Sequence, residues 1–382
     1  MRIKIQLIFL VAIIVTRSSS VDAASDLTEP IRAIRAVGLE GAGNTQASAA
    51  WRTLSAVDAD LLPVILTAMD GANDLAINWL RSAVETVAAR ELKSGRKFPQ
   101  AGLQKFLAET KHDAHARRLA FELIARIDPT LAEGLLSGML NDPSAELRRD
   151  AVGKVMLQAG RSLDAGDKTS ATKLFQQSLS SARDVDQIND VTKQLRSLGE
   201  TVDLPRVFGF LTQWKVIGPF DSIAGKGFAA VYPPEEKIDP SGEYDGKSGR
   251  VRWRDFVSTN EYGLVSMNIP YTPLKGVAAY AFTEFFSDKK QAVEIRLGSQ
   301  NAWKIWLNGR YLFGQDEYHR NKAIDQYRLN ADLNKGRNVI LVKVCQNEQT
   351  DDWAGDWDFQ LRVCDPFGSP VYSSAAPART RP

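Results

Sequence analysis

The segment Gln346-Asn347-Glu348-Gln349-Thr350-Asp351-Asp352-Trp353-Ala354-Gly355-Asp356-Trp357 interleaves two indoles with amides and carboxylates. That mixture suits recognition of a hydroxylated ring. An indole face stacks on the apolar side of a pyranose, and neighbouring amides and carboxylates take its hydroxyl hydrogen bonds. On this reading Trp353 and Trp357 are the platforms and Asn347, Glu348 and Asp352 the polar partners, with Trp303 and His319 as outlying candidates. The opposing reading packs Trp357 into the edge of a sheet and leaves the acids in water. Asp351, Asp352, Asp356 and Asp358 also offer oxygens of the kind calcium takes six to eight at a time, although their spacing matches no EF-hand loop. Calcium is therefore the only cofactor for which these residues make a case, and none is expected.

His319 lies in Gln315-Asp316-Glu317-Tyr318-His319-Arg320, where Asp316 or Asp325 would complete an acid–base pair. No nucleophile elbow of the Gly-x-Ser-x-Gly kind accompanies it, so no catalytic residue is assigned and the chain is not expected to be an enzyme. His112 and His115 share a helix start, but two ligands do not make a metal site. Gly38-Leu39-Glu40-Gly41-Ala42-Gly43 is glycine-rich without the strand-to-helix context of a nucleotide loop, and there is no Walker sequence. Lys and Arg number 48 against 46 Asp and Glu, a net charge of +2, too small a field to mark a nucleic-acid partner.

The elements that carry these residues fall into distinct stretches. At about 150 residues per domain, 382 residues predict two domains or three. Residues 1–23 read as a cleaved signal peptide: Arg2 and Lys4 precede an apolar run over 5–15, and Val21-Asp22-Ala23 places small residues where a peptidase cuts. Arg17 and the serines at 18–20 stop that run short of the ~20 residues a membrane span needs. The mature chain is expected to be exported, periplasmic or extracellular, without a membrane span.

Residues 24–200 are rich in Ala, Leu, Arg and Glu with apolar residues three and four apart, the pattern of amphipathic helices. Ala76, Trp79, Leu80, Ala83, Val84 and Val87 line one such face, with Asn73-Asp74 as its cap. Arg-x-Ala recurs at Arg81, Arg118 and Arg149, a spacing that suits stacked helical hairpins. The clearest unit runs Leu135-Leu136-Ser137-Gly138-Met139-Leu140-Asn141-Asp142-Pro143-Ser144-Ala145-Glu146-Leu147-Arg148-Arg149-Asp150-Ala151-Val152 and resembles a HEAT-type repeat, a resemblance that covers roughly residues 47–160. Asp142 is expected to cap the second helix, Pro143 to sit in its first turn and Ala151 to allow close packing. The pair over 167–198 resembles a tetratricopeptide-like hairpin. A solenoid of this kind implies contact with a protein partner.

From residue 201 the pattern becomes short β-rich runs between Gly, Pro and Asn turns. Residues 201–210 form a connector whose Phe208 and Phe210 are apolar enough to be expected in an interdomain core. Strands are expected at 214–217, 251–255, 278–286, 291–298, 302–307, 310–313, 337–346 and 358–364, with Asn308-Gly309 as a type I′ hairpin turn. Val293-Glu294-Ile295-Arg296-Leu297-Gly298-Ser299, Lys304-Ile305-Trp306-Leu307-Asn308-Gly309 and Leu333-Asn334-Lys335-Gly336-Arg337-Asn338-Val339 together resemble the galactose-binding-like jelly roll, the non-catalytic sugar-binding module of β-galactosidase-type hydrolases. The resemblance covers residues 211–372. It implies a β-sandwich and a carbohydrate ligand; the chain has no room for the hydrolases' catalytic barrel. Residues 373–382 are expected to be a disordered tail.

If the strands at 337–346 and 358–364 pair across the loop at 347–357, Cys345 and Cys364 stand roughly 20 Å apart along the ladder. That is too far for a disulfide, and free thiols are expected. The fold class is thus multidomain α plus β, an N-terminal all-α solenoid and a C-terminal all-β jelly-roll sandwich. The function expected is that of an exported, bacterial-type adaptor that binds carbohydrate or an envelope protein. A pure protein scaffold and a polysaccharide-acting accessory or hydrolase-like factor are the alternatives.

Overall fold

The computed structural model describes residues 26–95 and 98–374. The export signal expected over 1–23 and residues 375–382 of the expected tail lie outside the described residues. The chain has a helical N-terminal half and a C-terminal half of antiparallel sheets with no closed barrel. It divides into two compact units between Arg148 and Arg149.

The first unit holds α1 (Thr28–Arg35), α2 (Asn44–Ser55), α3 (Leu62–Thr67), α4 (Asp74–Ser94), α5 (Gln100–Ala108), α6 (Ala114–Ile127), α7 (Pro129–Leu136) and the start of α8 (Ala145–Asp164). Asn73 caps α4 as its sequence predicts, its Oδ1 accepting from the Ala76 N–H at 2.9 Å. Ala76, Leu80, Ala83, Val84 and Val87 are buried along one face of that helix. The expectation for Asp142 and Pro143 fails. Helix α8 begins at Ala145, and the Ser144 hydroxyl accepts from the Leu147 N–H at 3.5 Å in the capping position. The Asp142 carboxylate is instead taken by Arg117, which reaches it with two nitrogens at 2.6 and 2.7 Å.

In the second unit α9 (Lys168–Ser181) and α10 (Val185–Ser197) close with α8 over Ala159, Ala171, Phe175, Val191 and Leu195. Arg149 bonds Asp186 through two nitrogens, and that hydrogen bond lowers the carboxyl to about 2. After α11 (Leu204–Phe208) the chain enters the sheets. Phe208 is fully buried, 5.3 Å from the Phe210 ring and 6.2 Å from that of Tyr262.

The strands are β1 (Gln213–Asp221), β2 (Glu243–Gly246), β3 (Gly249–Arg252), β4 (Arg254–Val257), β5 (Val265–Ser266), β6 (Val277–Ser287), β7 (Gln291–Gly298), β8 (Ala302–Leu307), β9 (Arg310–Gln315), β10 (Tyr327–Leu333), β11 (Gly336–Gln346) and β12 (Asp358–Cys364). A six-stranded sheet runs β4-β1-β6-β11-β8-β9 and a four-stranded one β10-β7-β12-β5. Alternate residues of both meet in one core that includes Trp214, Ile295, Ile305, Val342, Phe359 and Leu361. Asn308 and Gly309 both have positive φ, 53° and 78°, as the expected turn requires.

The pairing assumed for the cysteines is wrong. β11 lies between β6 and β8, whereas β12 lies between β7 and β5 in the other sheet. Both strands are buried on both faces, as interior positions require, and the loop between them crosses from sheet to sheet instead of turning a hairpin. Cys345 and Cys364 are buried free thiols, one in each sheet.

Candidate functional site

The crossing loop at 347–357 is held from beneath by polar side chains that the sequence did not single out. Asn301, 1% exposed, donates from Nδ2 to the Asp356 carbonyl at 3.0 Å and to Gln346 Oε1 at 3.2 Å, while its Oδ1 accepts from the Asp358 N–H. Gln346, fully buried, donates to the carbonyls of Ala354 and Asp356, both at 3.0 Å. The Ser299 hydroxyl donates to the Asp358 carbonyl at 2.7 Å, and Lys275 Nζ to the Ala354 carbonyl at 2.8 Å. Most of these bonds satisfy backbone carbonyls of the loop, at Ala354 and Asp356, so it is held in one conformation without regular structure. The only signal for Asn301 and Gln346 was a polar residue at the start or end of an apolar strand.

Upon this base the loop sorts its indoles in opposite directions. Trp357 is fully buried, with Nε1 donating to the Val344 carbonyl at 3.1 Å. Trp303 is likewise buried, its ring 4.9 Å from that of Tyr327. Neither has a face open to a ligand, and both must be withdrawn as platforms: an indole is large enough that the sandwich core claims it wherever the strand register points it inward. Trp353, 61% exposed in the short turn Asp352–Ala354, is the platform that remains.

Beside Trp353 the structure brings together two of the other candidates, His319 and Asn347. The His319 ring stands edge-on to the Trp353 indole, centroids 5.0 Å apart and planes at 87°. His319 Nε2 is 3.0 Å from Asn347 Oδ1, which also accepts from the Gln349 N–H at 3.2 Å. An oxygen already acting as acceptor requires the imidazole proton to be on Nε2. His319 itself is fixed by its N–H donating to the Gln300 carbonyl at 2.6 Å, in a left-handed backbone conformation with φ 61°. Glu348 is exposed and accepts from the Ala224 N–H, which ties the loop to the segment after β1. Asp352 is exposed beside the indole.

The acid–base pairing does not form. Asp325 lies between Arg362, at 2.7 and 2.5 Å, and Arg296, at 2.7 Å. Burial would raise its carboxyl, but the hydrogen bonds and charges of Arg362 and then Arg296 outweigh it and hold the group below its ordinary value. The calcium candidates do not converge either. Asp358 is buried and bound by Lys322 Nζ at 2.7 and 2.8 Å, its carboxyl pushed up by burial against the pull of that lysine, while Asp351 accepts from Gln349. Among the described residues no group of three or more His, Cys, Asp or Glu side chains is placed to hold a metal ion, and no helix is long and apolar enough to cross a membrane.

This end of the sandwich presents one exposed aromatic face, an imidazole edge and an amide, with carboxylates on the same loop. No protein-family model matches the chain, and no curated protein sequence does. Among solved structures, a GH31 alpha-xylosidase from Xanthomonas citri is similar over 41% of this chain and 16% of that one, at 12% identity and a TM-score of 0.20. The chain spans a small part of that enzyme, and a likeness of this size carries no argument.

Proposed function

We propose that the protein is a non-catalytic, exported recognition factor whose sandwich is a galactose-binding-like jelly roll taking a carbohydrate on the Trp353 loop, and whose HEAT-like helices contact a protein partner. The observation that carries this reading is the exposed Trp353 indole beside His319 and Asn347, on a loop pinned by Asn301 and Gln346. A rigid aromatic face with fixed polar neighbours loses little entropy on binding a pyranose, which is what a single-platform sugar site needs. A glycan-array and polysaccharide pull-down screen with the full chain tests it: binding by the wild type and its loss in Trp353→Ala supports the reading.

A second reading is a protein-interaction scaffold of the cell envelope without sugar binding. The burial of Trp303 and Trp357 favours it, because it reduces the aromatic cluster to one ring. Silence across the array with a folded wild type moves the weight to this reading.

A further inference from the structure

The second unit contains a cleft of about 490 Å³ that shares no residue with the Trp353 loop. It lies between α9, the stretch after α10 and the segment following β12, and is lined among others by Arg183, Glu200, Thr201, Arg206, Pro370 and Tyr372. Its size is that of a small-molecule site.

The two guanidinium groups are the unusual part. Arg183 is partly buried, with Nε donating to Ser369 Oγ at 3.0 Å and Nη1 to the carbonyls of Ser180 and Ala182 at 3.0 and 2.7 Å. All three acceptors are neutral, and Nη2 has no acceptor among the described residues. Burial lowers the group's affinity for its proton while the charge of Asp365 opposes it, and no carboxylate among the described residues hydrogen-bonds the guanidinium. Asp365 is occupied, its Oδ1 accepting from the N–H groups of Phe367 and Ser369 at 2.9 and 2.8 Å. Arg206 carries a second guanidinium with no acceptor among the described residues; only its backbone is engaged, its carbonyl accepting from Tyr372 Oη at 2.9 Å. Arg183, fixed by neutral groups, and the exposed Arg206, with no side-chain acceptor among the described residues, offer two guanidinium forks to a planar oxyanion, with the carboxylates of Glu200 and Asp203 lining the same cleft.

Glu200 and Thr201 limit which anion fits. The Glu200 carboxylate accepts a hydrogen bond from Gln176 Nε2 at 3.3 Å and repels a doubly charged phosphate, but accepts from hydroxyl groups. The Pro370 and Tyr372 side chains supply an apolar wall. We propose that this cleft binds a small hydroxylated carboxylate of the sugar-acid class, with the carboxylate on Arg183 and Arg206 and hydroxyls toward Glu200 and Thr201.

Titration calorimetry of the full chain with glucuronate, glucose and inorganic phosphate tests this assignment. The expected result is saturable binding of glucuronate in the range of about 1 mM or tighter. Glucose and phosphate should bind at least about tenfold more weakly, since each lacks one half of the match. Arg206→Gln, at a side chain with no hydrogen-bond acceptor among the described residues, should weaken glucuronate about tenfold, and Arg183→Gln at least as much. Absence of glucuronate binding to the folded wild type, equal affinity for glucose or phosphate, or equal affinity in Arg206→Gln each overturns it.

Discussion

Arg117 and Asp142 form a bidentate salt bridge, N–O 2.6 and 2.7 Å, with side chains 2% and 5% exposed. Arg117 also donates to the Leu107 carbonyl at 3.1 and 2.9 Å, and the Asp142 carboxylate accepts from the Ser144 N–H at 2.8 Å. One pair thus joins the end of α5, helix α6 and the turn before α8, and its unspent donors and acceptors are satisfied by backbone. Removing one partner strands a buried charge. Asp142→Ala is expected to cost about 3 to 5 kcal/mol in denaturant unfolding, whereas Arg117→Met with Asp142→Leu should recover most of it. Equal losses in the single and double variants would show that packing, not charge, is what the site needs.

The two indoles of the crossing loop should differ as their burial does. Trp357→Ala is expected to lose about 3 to 5 kcal/mol of stability. Trp353→Ala should stay within about 0.5 kcal/mol of the wild type while losing whatever ligand the loop binds. Thermal unfolding of both variants reads this directly.

Asn301 is buried beneath the loop, where it bonds the Asp356 carbonyl and the Asp358 N–H. Asn301→Ala should therefore raise amide hydrogen exchange across residues 347–358 and weaken binding at the loop, with a stability loss of about 1 to 3 kcal/mol from the backbone groups left unpaired. Unchanged exchange would mean that Gln346 holds the loop alone.

Asp325 supplies a pH dependence with a definite sign. Its carboxyl in the folded chain is held below the ordinary value, so its proton binds more tightly to the unfolded chain. The stability it contributes is fully present above the unfolded value of ~3.9 and is lost as pH falls through the lower folded value. Acid unfolding followed by circular dichroism should show this limb, and Asp325→Asn should flatten it while lowering stability at neutral pH.

Burial pushes the Cys345 thiol up to about 12 and raises that of Cys364 as well. Neither is therefore expected to react with a thiol reagent at pH 8 in the native protein. Both should label on unfolding, at a rate set by the opening of the sandwich; prompt labelling of either in native buffer would contradict its burial.

Much of the fold was legible from local pattern. The Asn73 cap, the buried stripe of α4, the Asn308-Gly309 turn and the limits of β7, β8 and β12 each depend on residues close in sequence. Three strands escaped the sequence reading. β5 is two residues long and β2 has no buried position, whereas β10 does alternate, with Tyr327, Leu329, Ala331 and Leu333 inward and Arg328, Asn330 and Asp332 exposed, but at a sheet edge its polar residues are poor strand formers and mask the period.

The candidate site was legible as a region and not as a set of contacts. The loop at 347–357 was recognisable from its mixture of indoles, amides and acids, and His319 from its residue type. Their composition could not tell Trp353 from Trp357, because both are indoles among acids, and only strand register turns one inward. Nor could it bring His319 to Asn347, pair Asp325 with Arg362 instead of a histidine, or give Asp142 to Arg117 instead of a helix cap.

Sequence alone therefore determined the helical half, the β half, the Asn73 cap and the Asn308-Gly309 turn, since these follow from backbone preference and hydrophobic period over a few neighbours. Tertiary structure decided that β11 and β12 belong to opposite sheets, that two of the three candidate tryptophans are core, and that Arg183 and Arg206 share a cleft. Those outcomes depend on which distant segments compete for the same buried surface, and no local pattern encodes the winner.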